Sequence, residues 1–233
     1  RRPEYSELRS DPEWTYIGAA TTATDLMESP LLNARIPGLK EALRLVSSRQ
    51  IRNRATVGGN IVNASPIGDL SIIMLALDAE IGLENRGVIR EMKLRDFFLG
   101  YKKLAIRPGE LVAWLRISNR QQERVLFHFE KVSRRKHQDI ASVNTAICMR
   151  MDGERIASVH VSAGGVAPVP LFLGKSSDFL SGKTVSADSL REFLDLADRE
   201  IMPISDVRGS ASYKRNLLRR LLFAHFLTLF PGI

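Results

Sequence analysis

The sequence predicts an α+β protein in two parts. In the second half, three segments read as strands, "VLFHFEKVS", "VNTAICMRM" and "RIASVHVSAG", and two longer segments with a helical period follow them. The first half mixes short helical patterns with short strand patterns. Between the halves, the wholly polar stretch "NRQQER", residues 119–124, is the best candidate for a linker. We therefore predict one domain over residues 1–118 and a second over residues 124–233.

The first half opens with a short predicted strand that ends at Gly18, within "TYIGAATTATDLM". Either Thr24 or Asp25 is then expected to cap a helix through Met27, because short polar side chains accept hydrogen bonds from the free amides of a helix N-terminus. A second helix is predicted in "IPGLKEALRLVSSRQIRN", where apolar residues recur at helical spacing and Pro37 suits the first turn.

The middle of the first half contains the stretch "RATVGGNIVNASPIGDL", residues 54–70. We expect a glycine loop at Gly58 and Gly59, and then Ser65 as the cap of a helix with Pro66 just inside it. That helix, "IGDLSIIMLALDA", is apolar on most faces and is predicted to be buried. A hairpin around Asn-Arg-Gly, one helical turn in "LRDFFLGY", a turn at "RPGE" and a strand in "LVAWLRI" complete the half.

The second half reads as an antiparallel sheet of three or four strands, covered by helices. The last two of its three clear strands are joined by "DGE", a strong hairpin signal. The helices are "SADSLREFLDLADREI", with Ser186 or Asp188 as its cap, and "ASYKRNLLRRLLFAHFLTLF". This order of elements predicts an α+β layer pair.

Composition and charge restrict the classes of function. Lys plus Arg exceed Asp plus Glu by 34 to 26, a formal charge of +8 that favours phosphate-bearing ligands or nucleic acid as partners. The single cysteine, Cys148, excludes an intrachain disulfide, and an iron–sulfur cluster needs about four cysteines. We expect Cys148 to be a buried core residue. The four histidines are scattered without metal-ligand spacing, so no metal site is predicted: His128, His137, His160 and His225.

The two ends of the chain bear on its location. The front, "RRPEYSELRSDPEW", has no apolar signal region, and the late apolar stretch "LLRRLLFAHFLTLF" is interrupted by Arg219, Arg220 and His225. We therefore expect a cytoplasmic protein that neither is secreted nor spans a membrane. Since the chain begins with Arg and not Met, we also expect part of the natural N-terminus to be absent.

Residues 54–70 carry the clearest candidate binding site. Successive glycines let the backbone approach a ligand, so the Gly58 and Gly59 amides are expected to face a cavity and point at phosphate oxygens. Thr56 adds a hydroxyl, Asn60 an amide and Asp69 an acceptor for a ribose hydroxyl. Three upstream arginines add positive charge: Arg49, Arg52 and Arg54. The alternative is a plain turn, a first-turn acid and a solvated basic face, since neither common nucleotide-loop motif is present.

Several motifs in the same order resemble one family. These are "QIRNRATVGGNIVNASPIGDL", then "FFLGYKKLAIRPGELVAWLRI", and later "FEKVSRRKHQDIASVNTAICMRM". Together they resemble the FAD-binding subunit or domain of the molybdenum hydroxylases, namely xanthine dehydrogenase, aldehyde oxidase and carbon monoxide dehydrogenase. The likeness runs from "IGAATTATDL" to the C-terminal helix. It implies a vanillyl-alcohol-oxidase-type FAD fold over 1–118, followed by the flavoprotein C-terminal domain over 124–233.

The resemblance also implies a set of cofactor-binding residues. The family loop that holds the FAD pyrophosphate matches Thr56, Val57, Gly58, Gly59 and Asn60, and the family's adenosine-side acid matches Asp69. Val112 matches an apolar residue near the flavin, and a core role is the alternative. Lys131 matches a lysine near the isoalloxazine, although Glu130 is an equal alignment. The alternative for Lys131 and "SRRK" is a solvated strand end.

One expected family feature is missing from the given sequence. The family has a further glycine loop for the pyrophosphate, well before the region that matches Ile17, and only fifteen residues precede Tyr16 here. We therefore expect FAD to bind weakly or not at all to this chain alone. A longer N-terminus or a partner chain is expected to supply the other loop.

The function that the resemblance implies is electron transfer. Because the flavin performs the redox step, no catalytic residue is expected from this chain. Electrons would pass from iron–sulfur clusters on one partner to NAD+ or another acceptor, and the molybdopterin site would lie on a large partner subunit. The alternative is a scaffold subunit that has lost the flavin. A nucleic-acid-binding module, based on the charge of +8, is set aside because no recognised motif is present.

Overall fold

The computed structural model describes residues 3–119, 125–135 and 138–232. Of the predicted linker, only Asn119 lies within these ranges, and His137 and the lysine of "SRRK" lie outside them. The described residues form four layers in the order sheet, helices, sheet, helices. The prediction of an α+β fold with an antiparallel C-terminal sheet is confirmed.

The first layer is a five-stranded antiparallel sheet. The strands of the first half are β1 (Leu8–Ser10), β2 (Trp14–Gly18), β3 (Glu80–Asn85), β4 (Val88–Lys93), β5 (Phe98–Gly100), β6 (Lys103–Leu104) and β7 (Leu111–Ser118). They are ordered β1-β2-β7-β3-β4 in the sheet, and β5 and β6 form a separate pair. The predicted hairpin is β3–β4, whose turn residues Arg86 and Gly87 both have positive φ.

The second layer is a set of short helices. These are α1 (Ala23–Glu28), α2 (Pro30–Arg35), α3 (Leu39–Arg44), α4 (Arg49–Arg52), α5 (Val57–Asn63) and α6 (Asp69–Ala76). Every residue of α6 from Leu70 to Ala76 is buried, as predicted, because the helix lies between two sheets. Its Ile72 shares a core with Ile17 of the first sheet and with Phe127 of the second.

The second half forms the other two layers. Its elements are β8 (Val125–Val132), β9 (Val143–Asp152), β10 (Arg155–Gly164), β11 (Leu171–Phe172), α7 (Gly174–Leu180), α8 (Ala187–Glu200) and α9 (Ala211–Leu229). The sheet order is β11-β10-β9-β8. One face packs on α7, α8 and α9, and the other face packs on α6 of the first half. The sheet is therefore covered on one side by its own helices and on the other by the other half of the chain.

Several predicted helix boundaries are wrong for local reasons. Thr22, not Thr24 or Asp25, caps α1, because its hydroxyl accepts from the Asp25 amide at 3.1 Å and the Asp25 carboxylate accepts from the Thr22 amide at 2.9 Å. The predicted second helix is two helices, α3 and α4. Gly38 has a φ of 90° immediately before α3, which keeps Pro37 out of the first turn. Ser186 caps α8 as predicted.

The predicted glycine loop is also different from the structure. Gly58 and Gly59 lie in the first turn of α5. Ser65 is not a helix cap, since α6 begins at Asp69 after Gly68. In "LRDFFLGY" the helical turn covers Leu94–Asp96 only, and β5 follows it. The short elements β1, β6, β11, α2 and α7 are not predicted from the sequence.

Candidate functional site

The backbone amides in the first turn of α5 donate hydrogen bonds to other groups of the same chain. Thr56 caps the helix, and its Oγ1 accepts from the Gly59 amide at 3.1 Å. The Val57 amide donates to the Thr21 carbonyl at 2.9 Å, and the Gly58 amide donates to the Ala19 carbonyl at 2.8 Å. These bonds join α5 to the end of β2. The expectation that the two glycine amides point freely at a ligand is therefore wrong.

The two glycines have different surroundings. Gly58 is buried, and a Cβ there would lie 2.7 Å from the Ala19 Cβ and 2.9 Å from the Ala19 oxygen. Gly58 is thus required by the close packing of α5 on the chain after β2. Gly59 is exposed, and a Cβ there would meet only Thr56 Oγ1, at 2.9 Å. Close packing explains why residue 58 is a glycine. It does not explain Gly59, whose backbone is exposed and carries no side chain.

Asn60 connects α5 to the start of α6. Its Oδ1 accepts from the Ser71 amide at 3.1 Å and from the Ser71 hydroxyl at 3.0 Å. Gly68, which precedes α6, has no side chain to do this. Asn60 therefore caps α6 from the neighbouring helix. Its Nδ2 group donates to no group among the described residues.

Asp69, the first residue of α6, is part of a buried polar cluster. Its Oδ2 is 2.6 Å from Lys131 Nζ, and its Oδ1 is 2.6 Å from Asn144 Nδ2. The side chains of Lys131 and Asp69 are only 6% and 12% exposed. Burial raises the pKa of Asp69, and the Lys131 ammonium and the Asn144 amide oppose that rise. The structure thus brings together Asp69 and Lys131, two of the residues singled out from the sequence.

Lys131 is not a solvated strand end. Besides Asp69, its Nζ donates to the Leu45 carbonyl at 3.2 Å. Adjacent strand residues point to opposite faces, so Glu130 lies on the other face of β8, where a carboxylate oxygen is 3.6 Å from His128 Nε2. Of the two aligned residues, Lys131 is the one beside Asp69.

Val112 belongs to the core shared by the two sheets and is 8% exposed. Its neighbour Ala113 accepts a hydrogen bond from the Ala19 amide at 2.9 Å, and Ala19 in turn accepts from Gly58. Ala113, the residue after Val112, is therefore connected through Ala19 to the first turn of α5. The core role of Val112, the alternative from the sequence, agrees with its burial.

The upstream arginines have separate surroundings. Arg52 donates to the carbonyls of Val46 at 2.8 Å and Ser47 at 3.0 Å, so it supports the chain between α3 and α4. Arg49 and Arg54 are exposed. Only these two of the three arginines are free to add surface charge near α5.

One cavity lies near the site, and two other kinds of feature are absent from the described residues. A cavity of about 580 Å³ borders the chain before α6, with Ser65, Pro66 and Ile67 in its wall and neither glycine of α5. No cluster of three or more His, Cys, Asp or Glu side chains in the described ranges is arranged to hold a metal ion. None of the helices described is long and apolar enough to cross a membrane.

Sequence reasoning missed Asn144 and Ser71. Both are fully buried polar residues within apolar segments, "VNTAICMRM" and "DLSIIMLA". A buried amide in a strand of mostly apolar side chains is a signal, because a buried polar group requires a partner. The partner, Asp69, is distant in sequence and is identified only by the fold.

Comparison with known proteins agrees with this geometry. Residues 2–118 match the FAD binding domain in molybdopterin dehydrogenase, and residues 128–229 match the CO dehydrogenase flavoprotein C-terminal domain. The carbon monoxide dehydrogenase medium chain of Hydrogenophaga pseudoflava is 31% identical over 92% of this chain and 74% of its own length. Xanthine dehydrogenase 1 of Arabidopsis thaliana is 31% identical over 97% of this chain and 18% of its own length.

A solved structure gives the same result at the level of the fold. Carbon monoxide dehydrogenase from Hydrogenophaga pseudoflava, in a form without the Mo-pyranopterin moiety of its cofactor, superposes with a TM-score of 0.91 at 28% identity. The match covers 98% of this chain and 79% of that one. The chain therefore belongs to the FAD-binding flavoprotein family of the molybdenum hydroxylases, a family of oxidoreductases.

Proposed function

We propose that this chain is the electron-transferring flavoprotein subunit of a molybdenum hydroxylase complex, and that Thr56, Gly59 and Asn60 bind the FAD pyrophosphate. The observation that carries the proposal is the exposed, bare backbone of Gly59 between two side chains with unused donors. Thr56 Oγ1 accepts from the Gly59 amide, which leaves its own proton to donate outward. Asn60 Nδ2 offers two further N–H groups. Donors around a side-chain-free residue fit a pyrophosphate.

The other residues of the proposed site have supporting roles. Val57 and Gly58 are buried and hold α5 against the end of β2, which fixes the position of Gly59. Asp69 is proposed to accept a hydrogen bond from the adenosine side of FAD. Lys131, whose Nζ is 2.6 Å from Asp69, is proposed to place its positive charge at the same end of FAD as Asp69. Val112 is proposed to form an apolar wall near the flavin.

FAD, when bound, supplies the redox chemistry, and the chain binds and orients it. We propose that the electrons come from iron–sulfur clusters of a partner subunit or domain and pass to NAD+ or another acceptor. A large molybdopterin subunit is proposed as the second partner, and a cytoplasmic location for the complex. The medium-chain relative named above supports the assignment to a complex of several subunits.

One observation favours the alternative, a scaffold subunit without flavin. The amides of Val57, Gly58 and Gly59 are already hydrogen-bonded within the chain. The site then depends on side-chain donors alone. Such a site binds a pyrophosphate less tightly than one in which free backbone amides donate as well.

A titration distinguishes the two functions. The wild-type chain, alone and with its partner subunits, is titrated with FAD, and quenching of flavin fluorescence reports binding. We expect weak binding or none to the chain alone and one FAD per chain in the complex. In the complex, Thr56→Ala should bind FAD more weakly, and Thr56→Ser, which keeps the hydroxyl, should bind it nearly as the wild type does. In the assembled complex, NADH should bleach the flavin absorbance if NAD+ is the acceptor. Absence of FAD from both the chain and the complex would leave the scaffold function.

A further inference from the structure

Asn144 holds the start of α6 from the opposite half of the chain. It lies in β9, directly across from Lys131 in β8, and is fully buried. Its Nδ2 donates to Asp69 Oδ1 at 2.6 Å and to the Ile67 carbonyl at 3.4 Å. The amide therefore contacts both the candidate FAD-side acid and the backbone two residues before it.

The surroundings of Asn144 are shaped for this one side chain. Its Oδ1 is buried and accepts no hydrogen bond from any described group. On the neighbouring strand β10, a Cβ at Gly164 would lie 2.1 Å from that oxygen. A buried acceptor without a partner destabilises a fold, and an apolar residue at this position of the strand would avoid that cost. The asparagine is therefore explained by the group to which its Nδ2 donates, the buried Asp69 carboxylate, and not by its own packing.

We propose that Asn144 is a positioning residue, which fixes the Asp69 carboxylate in the orientation that α6 presents to FAD and makes that orientation depend on the packing of the two halves. This inference rests on the proposed FAD-binding function. Lys131 supplies the charge that Asp69 needs, but a flexible ammonium does not define a carboxylate's orientation. The planar amide of Asn144, held in the sheet, does.

The test compares two buried hydrogen bonds that the second sheet makes to α6. Asn144→Leu preserves the approximate volume and removes the donor to Asp69, and Asn144→Ala serves if the leucine variant does not fold. Ser162→Ala is the matched control, because Ser162 Oγ donates to the Ile72 carbonyl of α6 at 2.7 Å and does not contact Asp69. Each variant is made in the wild-type chain and with Asp69→Asn.

The first measurement requires no FAD. Loss of the amide donor should raise the pKa of Asp69 further, so the folded state keeps a proton at a pH where the unfolded chain has lost it. Stability then falls as pH rises, so the destabilisation by Asn144→Leu should be larger at neutral pH than near about pH 4, where a free carboxyl titrates. That difference should vanish with Asp69→Asn. The effect of Ser162→Ala should not depend on pH.

The second measurement is FAD affinity. We expect Asn144→Leu to weaken FAD binding by about tenfold or more in the wild-type chain, and to have no effect on FAD binding when Asp69 is already replaced by Asn. Ser162→Ala should change the affinity little. Equal effects of Asn144→Leu and Ser162→Ala on affinity, or a pH-independent effect of Asn144→Leu on stability, would overturn the positioning role. If the wild-type chain binds no FAD, alone or in its complex, the proposed function fails and the positioning role for FAD fails with it. The first measurement then still decides whether Asn144 holds Asp69.

Discussion

Gly58 and Gly59 are adjacent in the first turn of α5, yet they are glycines for different reasons. Gly58 approaches Ala19 too closely for any side chain, whereas Gly59 has no packed neighbour except the oxygen of Thr56. From the sequence the pair is one motif with one expected role, a backbone that faces a ligand. The structure separates a residue required for folding from a residue available for binding, and each has its own experimental signature.

Gly58→Ala should destabilise the chain by about 1–3 kcal/mol, because the added methyl group overpacks the contact with the Ala19 backbone. Gly59→Ala should change the free energy of unfolding by less than about 1 kcal/mol, since a better helix former offsets a disturbed cap. In contrast, Gly59→Ala should weaken FAD binding by about tenfold or more. Urea denaturation measures the change in unfolding free energy of each variant, and FAD titration measures the change in affinity. A stable Gly58→Ala variant would contradict the packing argument.

A pair of histidines in the second half makes stability depend on pH. His225 of α9 is fully buried, with its Nδ1 2.8 Å from His128 Nδ1 and its Nε2 2.8 Å from Thr145 Oγ1. Burial lowers the pKa of His225 well below its usual value, and the neighbouring His128 lowers it further. Burial also lowers the pKa of His128, against the opposing charge of Glu130.

Stability should therefore fall as pH falls below about 6.5. In that range the unfolded chain binds protons at these histidines while the folded chain does not, and each contributes up to about 1.4 kcal/mol per pH unit. His225→Gln should flatten this slope in urea denaturation between about pH 7.5 and about pH 5.5. His160→Gln is the comparison variant and should flatten the slope less, because burial lowers the pKa of His160 but lowers that of His225 well below its usual value. An unchanged slope in His225→Gln would exclude the pair as its source.

At the scale of elements, α5 and α6 are connected through Asn60. The helix α6 starts after a glycine without a capping side chain, and the cap comes from the preceding helix. Sequence patterns identify caps only when the residue adjoins its own helix, which is why Ser65 was predicted and Asn60 was not. For the same reason α8, with Ser186 directly before it, was predicted correctly.

The dual role of Asn60 predicts two different variants. Asn60→Ala should cost about 1–2 kcal/mol of stability, because Ser71 loses the acceptor for both its amide and its buried hydroxyl, and it should also weaken FAD binding. Asn60→Asp keeps the acceptor and should keep the stability, but it loses the Nδ2 donors and repels phosphate. FAD affinity should then fall while the urea midpoint stays near that of the wild-type chain. Equal loss of stability in the two variants would exclude the capping role.

Among the other elements, agreement with the sequence depends on the range of the interactions. The β3–β4 hairpin, the β9–β10 hairpin and the amphipathic α8 were predicted because their signals are local. The split of α3 from α4 was missed. It depends on Ser47, whose φ of 49° interrupts the helix, and Lys131 of the other half donates to the Leu45 carbonyl just before that residue. The pairing of Asp69 with Lys131 and Asn144 was missed because it joins three distant segments.

At the scale of the whole molecule, the two halves share one core. Phe127, Phe129 and Cys148 of the second sheet lie in the same cluster as Ile72 of α6 and Ile17 of the first sheet. The domain boundary at residues 119–124 stays a prediction, since most of that stretch lies outside the described residues. The core itself crosses from one half to the other.

We therefore expect the chain to unfold in one cooperative transition. Both tryptophans, Trp14 and Trp114, lie in the first sheet, so their fluorescence reports the first half. Far-UV circular dichroism reports largely the long helices α8 and α9 of the second half. The two signals should change at the same urea concentration. A tryptophan transition clearly below the helix transition would show that the halves unfold independently.

The single buried thiol has a consequence for kinetics. Cys148 faces α6 across the core between the halves, and burial raises the pKa of its thiol to about 12. A thiol in this state does not react with labelling reagents, because the thiolate is the nucleophile. Labelling must then wait for a transient opening that separates the second sheet from α6, so its half-time measures how often the two halves part in the native protein. A ligand that binds across α5 and α6 should lengthen that half-time. The rate of Cys148 labelling then reports whether the site is occupied.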